Sequence, residues 1–345
     1  MGPPASCAAL VQRNGKPTKG IISVPVPQEH QVLVNVSYVA QNPTDVQAND
    51  QNAFGDDAVL GCDFVGTVEK LGPNVSKVKE GDVMAGLIWG GEVKGQGAYS
   101  EYTVADERIC FIVPDGISHE EAATVPLAAC TALLAFFSKD CLGIDRAQCK
   151  RQSVLVWGGS SSVGLYAIQV AAMYGLNVIT TCSPRHHDQA SELGAKHVFD
   201  YRDEDIVSKI VNAEPNLKYV FDTIGNDKSS VTASQAITSK GGRLCTVRPG
   251  KAFTEGASKQ TTVTDVLVWT AFLKEHRYGK FFWPPNKGDH EMCVEFCEQL
   301  PKLLSKEIIK PNNAKVYTNG LDGVTEGFQQ YRDGKISNYK IVYKL

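Results

Sequence analysis

The chain has 345 residues, 43% of them hydrophobic and 21% charged, which is enough for two globular domains. Its 35 Lys and Arg against 38 Asp and Glu give a net charge of −3, which argues against nucleic acid or an anionic membrane as its main partner. Ten scattered cysteines without a Cys-x-x-Cys pair, no secretory leader and no apolar run near the roughly 20 residues of a membrane span predict a cytoplasmic protein with free thiols.

The N-terminal part of the chain has short alternating apolar runs closed by Gly and Pro. Residues 32–39 and 65–69 are predicted strands, and glycine or proline turns punctuate the chain from Gly61 to Gly97. This texture predicts a compact, mostly β domain of barrel or rolled-sheet type.

The texture changes at residue 120, where an Ala- and Leu-rich stretch predicts a helix over 120–137. Beyond it, strands and helices alternate, with strands at 153–157, 177–182, 197–201, 219–222 and 243–247 and helices at 162–174, 186–193, 204–212 and 228–238. Such alternation predicts an α/β fold with a doubly wound parallel sheet of Rossmann type over 127–270.

The last segment is too small to form a domain. It carries predicted helices at 290–305 and 324–331 and a strand at 339–345. We therefore expect residues 271–345 to return and complete the domain formed by residues 1–126.

The first strand of the α/β block runs into a turn of small residues that opens a helix, namely Gly158, Gly159, Ser160, Ser161, Ser162 and Val163. Small residues let the backbone turn sharply and let a pyrophosphate approach the N–H groups of a helix N-terminus. The strand before and the helix after it favour dinucleotide binding over the alternative, a glycine-rich turn without a ligand.

The end of the second strand indicates which dinucleotide binds. NAD sites usually place Asp or Glu there, whereas this chain has Ser183, Pro184, Arg185 and His186. Arg pairs with phosphate through two parallel hydrogen bonds, and Tyr201 at the end of the third strand could reach the same group, so we predict NADPH. The alternative is that neither residue binds the coenzyme. Arg185 would then be a solvated residue at a helix start, and Tyr201 a half-buried strand residue.

These motifs together resemble the medium-chain dehydrogenase/reductase superfamily over nearly the whole chain. The resemblance is carried by Asn42-Pro43-Thr44-Asp45, Gly61-Cys62-Asp63-Phe64, Gly97-Ala98-Tyr99 and the glycine/serine turn. Ser183-Pro184 and Phe199-Asp200-Tyr201 are most similar to the fungal trans-acting enoyl reductases of polyketide pathways. The resemblance implies a GroES-like catalytic domain beside the Rossmann domain.

The resemblance also implies that this enzyme holds no metal. The Cys, His and Cys zinc ligands of the superfamily fall at Asn42, Cys62 and Leu127, and Asn and Leu are not useful zinc ligands. The structural zinc lobe is missing too, since residues 86–102 contain no cysteine. An enzyme without a Lewis acid is better suited to an enone, a quinone or an α,β-unsaturated thioester, whose carbonyl delocalises the charge left by hydride addition.

The family resemblance implies further contacts with the coenzyme and the substrate. The coenzyme would meet Pro43, Thr44, Asp45 and Val46 beside the nicotinamide, Val247 and Arg248 at its ribose, and Ile336 and Ser337 on the returning segment. The acyl channel would be lined by Thr131, Ala132, Leu133, Leu134, Ala135, Phe136, Phe137 and Ser138, with a far wall of Ala271, Phe272, Leu273, Lys274 and Glu275.

One departure concerns the proton donor. The most similar group has a lysine two residues past the Asn-Pro-x-Asp motif, where this chain has Gln47, which cannot deliver a cationic proton. Thr131 is the candidate catalytic donor, and its alternative role is a helix hydroxyl bonded to its own backbone. Cys62 and Cys130 are either reactive thiols or, given their apolar neighbours, inert core residues.

Three functions remain open at this point. The first is a reductase acting on an acyl group carried by a polyketide synthase, the second a free-standing quinone or enone reductase, and the third a non-catalytic NADPH-binding module. The Ser-Pro and Phe-Asp-Tyr resemblance favours the first. That group implies a monomer, although residues 261–268 could form an edge strand that pairs two subunits.

Overall fold

The computed structural model describes residues 2–278 and 281–345, and for Tyr278 only the backbone. The chain forms two compact units, a first unit of residues 1–127, 271–285 and 293–345 and a second unit of residues 128–270 and 286–292. The sequence predicts that all of residues 271–345 belong to the first domain, whereas residues 286–292 belong to the second unit. Hydrogen bonds hold them there, from Asn286 Nδ2 to Asp140 Oδ2 (3.1 Å) and from Thr270 Oγ1 to Asp289 Oδ2 (2.6 Å).

The N-terminal part of the first unit is dominated by strands. They are β1 (Ser6–Arg13), β2 (Lys16–Ser23), β3 (Gln31–Ala40), β4 (Asp63–Leu71), β5 (Val83–Leu87), β6 (Tyr102–Asp106) and β7 (Cys110–Ile112), with helices α1 (Pro43–Asp50) and α2 (His119–Ala123). β1 and β2 form an antiparallel hairpin with Asn14 and Gly15 at its turn, both at positive φ. The sequence reasoning had missed this hairpin.

The predicted helix over 120–137 is in fact two helices. α2 ends at Ala123, and α3 runs from Pro126 to Phe137. Pro126 has no N–H to donate and its ring clashes with a preceding carbonyl, so it begins a new helix instead of continuing the old one. By length and composition residues 119–137 could cross a membrane, but 89% of their most apolar window is buried in the protein. A core helix of a globular domain has the same properties.

The second unit contains the predicted parallel sheet. Its strands are β8 (Ser153–Trp157), β9 (Asn177–Thr181), β10 (Ala195–Phe199), β11 (Tyr219–Asp222), β12 (Arg243–Thr246) and β13 (Thr262–Asp265), and its helices are α4 (Ser162–Met173), α5 (His187–Glu192), α6 (Ile206–Ala213) and α7 (Ser229–Gln235). Within residues 153–265, all of them described, the strand order is β10-β9-β8-β11-β12-β13 and every pair is parallel. This confirms the predicted fold class.

The C-terminal segment adds β14 (His276–Tyr278), β15 (Phe281–Trp283), α8 (Lys287–Ser305), β16 (Ala314–Tyr317), α9 (Val324–Arg332) and β17 (Lys340–Lys344). β17 pairs with β3 in a sheet that runs β16-β17-β3-β4-β5-β7 through the described residues, with β6 also paired to β3. A buried cluster that includes Phe64, Tyr99, Phe328 and Tyr343 packs this unit. The ten cysteines all lie within the described residues and are buried free thiols.

Candidate active site

The glycine/serine turn is packed closely against its neighbours in the protein. Gly158 follows β8 with φ +90°, and a Cβ there would lie 2.5 Å from Ile224 Cδ1. A Cβ on Gly164, in the first turn of α4, would lie 2.2 Å from the carbonyl oxygen of Gly158. Ser161 caps α4, since its Oγ accepts the Gly164 N–H at 2.9 Å and lies 2.8 Å from Thr223 Oγ1. The turn thus presents a tightly packed helix N-terminus, which fits a pyrophosphate.

The strand ends of the second unit lie in one row. Phe199, Thr181, Trp157, Asp222 and Thr246 are paired in succession across five neighbouring strands. The segments that follow these strands therefore emerge at the same edge of the sheet. They contain the glycine/serine turn (158–163), the segment 183–186, Tyr201, and Val247 with Arg248. The chain order reverses between β8 and β11, and this is where parallel sheets bind their ligands.

The residues predicted to bind the 2′-phosphate of the coenzyme come from two of these segments. Ser183 precedes a single helical turn, Pro184–His186, in which the Arg185 Nε donates to His186 Nε2 at 3.0 Å. Burial, followed by the charge of Arg185, lowers the pKa of His186. Tyr201 was expected to end a strand, but β10 ends at Phe199 and Tyr201 lies in the turn beyond it, 48% exposed.

Two features of this edge were missed from the sequence. Arg202 stacks its guanidinium 5.7 Å from the Tyr201 ring and forms an ion pair with Asp200 at 2.7 Å. Asp222 is fully buried and accepts the hydroxyls of Ser229 and Ser230, each at 2.6 Å. Asp222 ends a predicted strand. Its position at the C-terminal end of a central strand could have indicated it as a candidate site residue.

In the first unit, the first turn of α1 places the Asp45 carboxylate in the core. Asn42 is the N-cap and Pro43 opens the helix, as expected from their backbone preferences. The Asp45 Oδ2 accepts the Asn42 N–H at 2.7 Å and the Tyr99 hydroxyl at 3.3 Å, and the Cys62 thiol also hydrogen-bonds to this carboxylate. Asp45 Oδ1 is buried without a partner among the described residues. Burial raises the pKa of Asp45 to about 6, against these hydrogen bonds.

The raised pKa of Asp45 gives a pH dependence of stability. Its native pKa of about 6 lies above the ordinary 3.8, so between these values the folded protein binds more protons than the unfolded chain. The free energy of unfolding should therefore gain about 1 kcal/mol from this group as pH falls from about 7 to about 5. Urea unfolding of the wild type and Asp45→Asn at both pH values measures this gain as a difference, because Asn keeps an acceptor for the Asn42 N–H. An identical pH slope in the two proteins would contradict the assignment.

Two of the three positions that the resemblance matches to zinc ligands, Asn42 and Leu127, hydrogen-bond to the carboxylate of a buried ion pair. Asp63 Oδ2 receives Asn42 Nδ2 at 2.9 Å and the Lys340 ammonium at 2.5 Å, while Asp63 Oδ1 receives the Leu127 N–H at 2.8 Å. Asp63 is 0% and Lys340 3% exposed. Cys62 is turned to Asp45, and burial together with that carboxylate raises the pKa of its thiol. Across residues 2–278 and 281–345, no three His, Cys, Asp or Glu side chains are placed to share a metal ion.

The predicted channel residues lie on and beside α3. Thr131 is buried in the middle of the helix, and Ser138 follows its end. Phe136 packs on Phe221 with 5.7 Å between ring centroids, and Phe137 packs on Tyr174 at 4.6 Å. A helix turns about 100° per residue, so eight consecutive side chains cannot all face one channel. Phe136 and Phe137 therefore contribute to the packing of the second unit, and a channel along the other residues stays a prediction.

The remaining predicted residues lie in the first unit. Ile336 packs on the same buried cluster as Val46, and Ser337 follows it in the loop before β17. Residues 271–275 precede β14, where Lys274 pairs with Glu92. Gln47, at the position of the family lysine, donates from Nε2 to the Tyr331 hydroxyl at 3.0 Å.

Two family models match this chain. The alcohol dehydrogenase GroES-like domain matches residues 28–115, and the zinc-binding dehydrogenase model matches residues 162–270. They cover β3 to the loop after β7 in the first unit and α4 to the 3₁₀ turn after β13 in the second.

Known proteins match over nearly the full length. The chain is 32% identical over 343 residues, 98% of each chain, to the trans-enoyl reductase ACTTS2 of Alternaria alternata. It is 33% identical over 327 residues, 91% of each, to the trans-enoyl reductase fsa3 of Fusarium sp. (strain FN080326). The solved structure of the CurK enoyl reductase superposes with a TM-score of 0.76 at 19% identity, covering 99% of each chain, which supports the fold.

Proposed function

This chain belongs to the medium-chain dehydrogenase/reductase superfamily, in the branch of the fungal trans-enoyl reductases, and from this premise we propose that it reduces the activated carbon–carbon double bond of an α,β-unsaturated thioester with NADPH. The observation that carries the proposal is the identity of 32–33% over 91–98% of the chain to two enzymes named trans-enoyl reductase. We further propose that the acyl group is presented by a polyketide synthase.

The second unit would hold the nicotinamide coenzyme. The superfamily uses such a coenzyme, which supplies a hydride when bound. The N-terminus of α4, with the turn before it, would receive its pyrophosphate, and glycine at 158 and 164 lets this turn pack closely enough to form. Ser183, Arg185 and Tyr201 would receive a 2′-phosphate, and no acidic residue stands at the end of β9 to bind a free ribose hydroxyl instead. This favours NADPH over NADH.

The first unit supports chemistry that does not depend on a metal. Asn42 and Leu127 replace two zinc ligands of the superfamily, and Asn42 is engaged by Asp45 and Asp63. The charge that develops on a thioester oxygen then needs a hydrogen-bond donor, and the α-carbon needs a proton. We propose Thr131, in the second unit, as the proton donor. By family resemblance, we propose that the coenzyme contacts Pro43 to Val46, Val247, Arg248, Ile336 and Ser337.

The proposal includes the oligomeric state and the cellular location of the enzyme. We propose a cytoplasmic monomer that meets its synthase as a separate protein. The support is the similarity to two enzymes named trans-enoyl reductase, together with the sequence resemblance to the trans-acting enoyl reductases of polyketide pathways. Sedimentation of the purified chain tests the monomer, and a stable dimer would contradict it.

An acceptor panel tests the reaction. With NADPH oxidation monitored, we expect turnover on unsaturated pantetheine thioesters and at most weak turnover on quinones and simple enones. Turnover on quinones alone would indicate a free-standing quinone reductase. Silence on every acceptor, with NADPH still bound, would indicate a binding module.

A further inference from the structure

Thr223 follows β11, and its hydroxyl reaches the glycine/serine turn from the neighbouring strand. Its Oγ1 lies 2.9 Å from the carbonyl oxygen of Trp157 and 3.0 Å from that of Gly158. The same oxygen lies 2.8 Å from Ser161 Oγ, and Thr223 is only 8% exposed. One buried hydroxyl thus contacts the end of β8, the first glycine of the turn and the residue that caps α4.

The partners of the Thr223 hydroxyl fix the direction of its hydrogen bonds. Carbonyl oxygens only accept, so Thr223 donates to them, and its own oxygen is left to accept from Ser161. Ser161 Oγ also accepts the Gly164 N–H at 2.9 Å. Because a hydroxyl carries a single hydrogen, the one on Ser161 is used inside the protein and not on a phosphate.

The segment after β11 is itself held by Asp222. The buried carboxylate accepts the backbone N–H groups of Ile224 at 2.9 Å and Gly225 at 3.1 Å, besides the two serine hydroxyls described above. The carbonyl oxygen of Gly225 in turn accepts Arg248 Nε at 2.7 Å. This short segment therefore connects two parts of the chain that the family resemblance assigns to the coenzyme, the glycine/serine turn and Arg248.

We propose that Thr223 is a positioning residue for the coenzyme, whose hydroxyl holds the glycine/serine turn, through Ser161, in the conformation that receives the pyrophosphate. The inference rests on the proposed function and adds to it a residue that the family resemblance does not name. Phosphate binds to the N–H groups of a helix N-terminus only when the turn directs them at the ligand. Without its anchor the turn must be ordered by the coenzyme on binding, which weakens affinity.

Thr223→Val tests the proposal, because valine keeps the branched shape and removes the hydroxyl. The Kd of NADPH and that of NADH should rise by the same factor, roughly five- to thirtyfold, since both coenzymes carry the pyrophosphate. Adenosine 2′-monophosphate has the 2′-phosphate but no pyrophosphate, and its Kd should not change. A general loss of structure would weaken all three ligands. Thr223→Ser keeps the hydroxyl and should stay within about twofold of the wild type.

Thr264→Val is the matched control within the same sheet. Thr264 is also 8% exposed, and its Oγ1 donates to the carbonyl oxygen of Leu244 at 3.3 Å, outside the glycine/serine turn. The same substitution at this position should leave the Kd of both coenzymes unchanged. An equal loss in Thr264→Val and Thr223→Val would overturn the proposal, because any buried threonine of the sheet would then have the same effect.

Ser161→Ala completes a double-mutant cycle with Thr223→Val. It removes the helix cap as well as the contact with Thr223, so it should weaken both coenzymes at least as much as Thr223→Val does. The double variant should bind no more weakly than Ser161→Ala alone, because the two hydroxyls act through one hydrogen bond. Additive losses would show that Ser161 acts on the coenzyme independently of Thr223 and would overturn the positioning role.

These measurements need no acceptor, so they separate the inference from the proposed reaction. If the wild type binds NADPH and reduces no thioester, the reaction is wrong, while the expected Kd changes still support Thr223. If Thr223→Val binds both coenzymes as tightly as the wild type, the inference alone is wrong. A wild type that binds neither coenzyme would overturn both.

Discussion

Arg185→Ala should weaken NADPH binding by roughly ten- to a hundredfold and leave NADH binding nearly unchanged. Hydrogen bonds to a charged group contribute about 1.5–3 kcal/mol each, and about 1.4 kcal/mol corresponds to a factor of ten in affinity. Only NADPH carries the 2′-phosphate that a guanidinium at this position would pair with. The measurement is the Kd of each coenzyme by titration, together with its KM.

Lys196→Ala is a suitable control for this change. It removes an exposed positive charge from β10, the strand that leads to Tyr201, without touching the segment 183–186. If Arg185→Ala acted only through long-range charge, Lys196→Ala would weaken NADPH comparably. Tyr201→Phe should have a smaller effect, of a few-fold, because Tyr201 is 48% exposed and a solvated hydroxyl loses little on removal. Equal losses for both coenzymes would place the 2′-phosphate elsewhere.

The second unit could be predicted well because its signals are local. The strand β11 begins and ends at the predicted residues, 219 and 222, and α4 ends within one residue of its prediction. Buried parallel strands are continuous apolar runs, and glycine marks the turns between them. The glycine/serine turn was identifiable for the same reason, since its function depends on small residues at consecutive positions.

The first unit was harder to predict because its determinants are separated in sequence. Asp63 and Lys340 are 277 residues apart, and neither residue alone indicates that the other neutralises it. Similarly, the sequence alone shows Asn42 and Leu127 at positions where the superfamily has zinc ligands. It does not show that both residues hydrogen-bond to Asp63. The break at Pro126 was a local signal that the apolar run around it obscured.

Removing one partner of the ion pair between Asp63 and Lys340 should cause one of the largest single losses of stability in the first unit. Lys340→Met leaves the Asp63 carboxylate buried without its counter-charge, and breaking one side of a buried pair costs about 3–5 kcal/mol. The free energy of unfolding, from urea denaturation, should fall by that amount. Lys340→Arg keeps the charge and should lose less, which shows that the loss comes from charge and not only from packing.

Lys344→Met is the matched control on the same strand. Lys344 lies four residues further along β17, with its ammonium 6.0 Å from the Tyr38 ring and its side chain exposed, so this change should stay within about 0.5 kcal/mol. The double variant Asp63→Asn with Lys340→Met removes both charges and should be less destabilised than the sum of the single variants, because the two groups interact directly. Additive losses in this cycle, or a Lys340→Met protein as stable as Lys344→Met, would show that the pair is not coupled as its 2.5 Å contact requires.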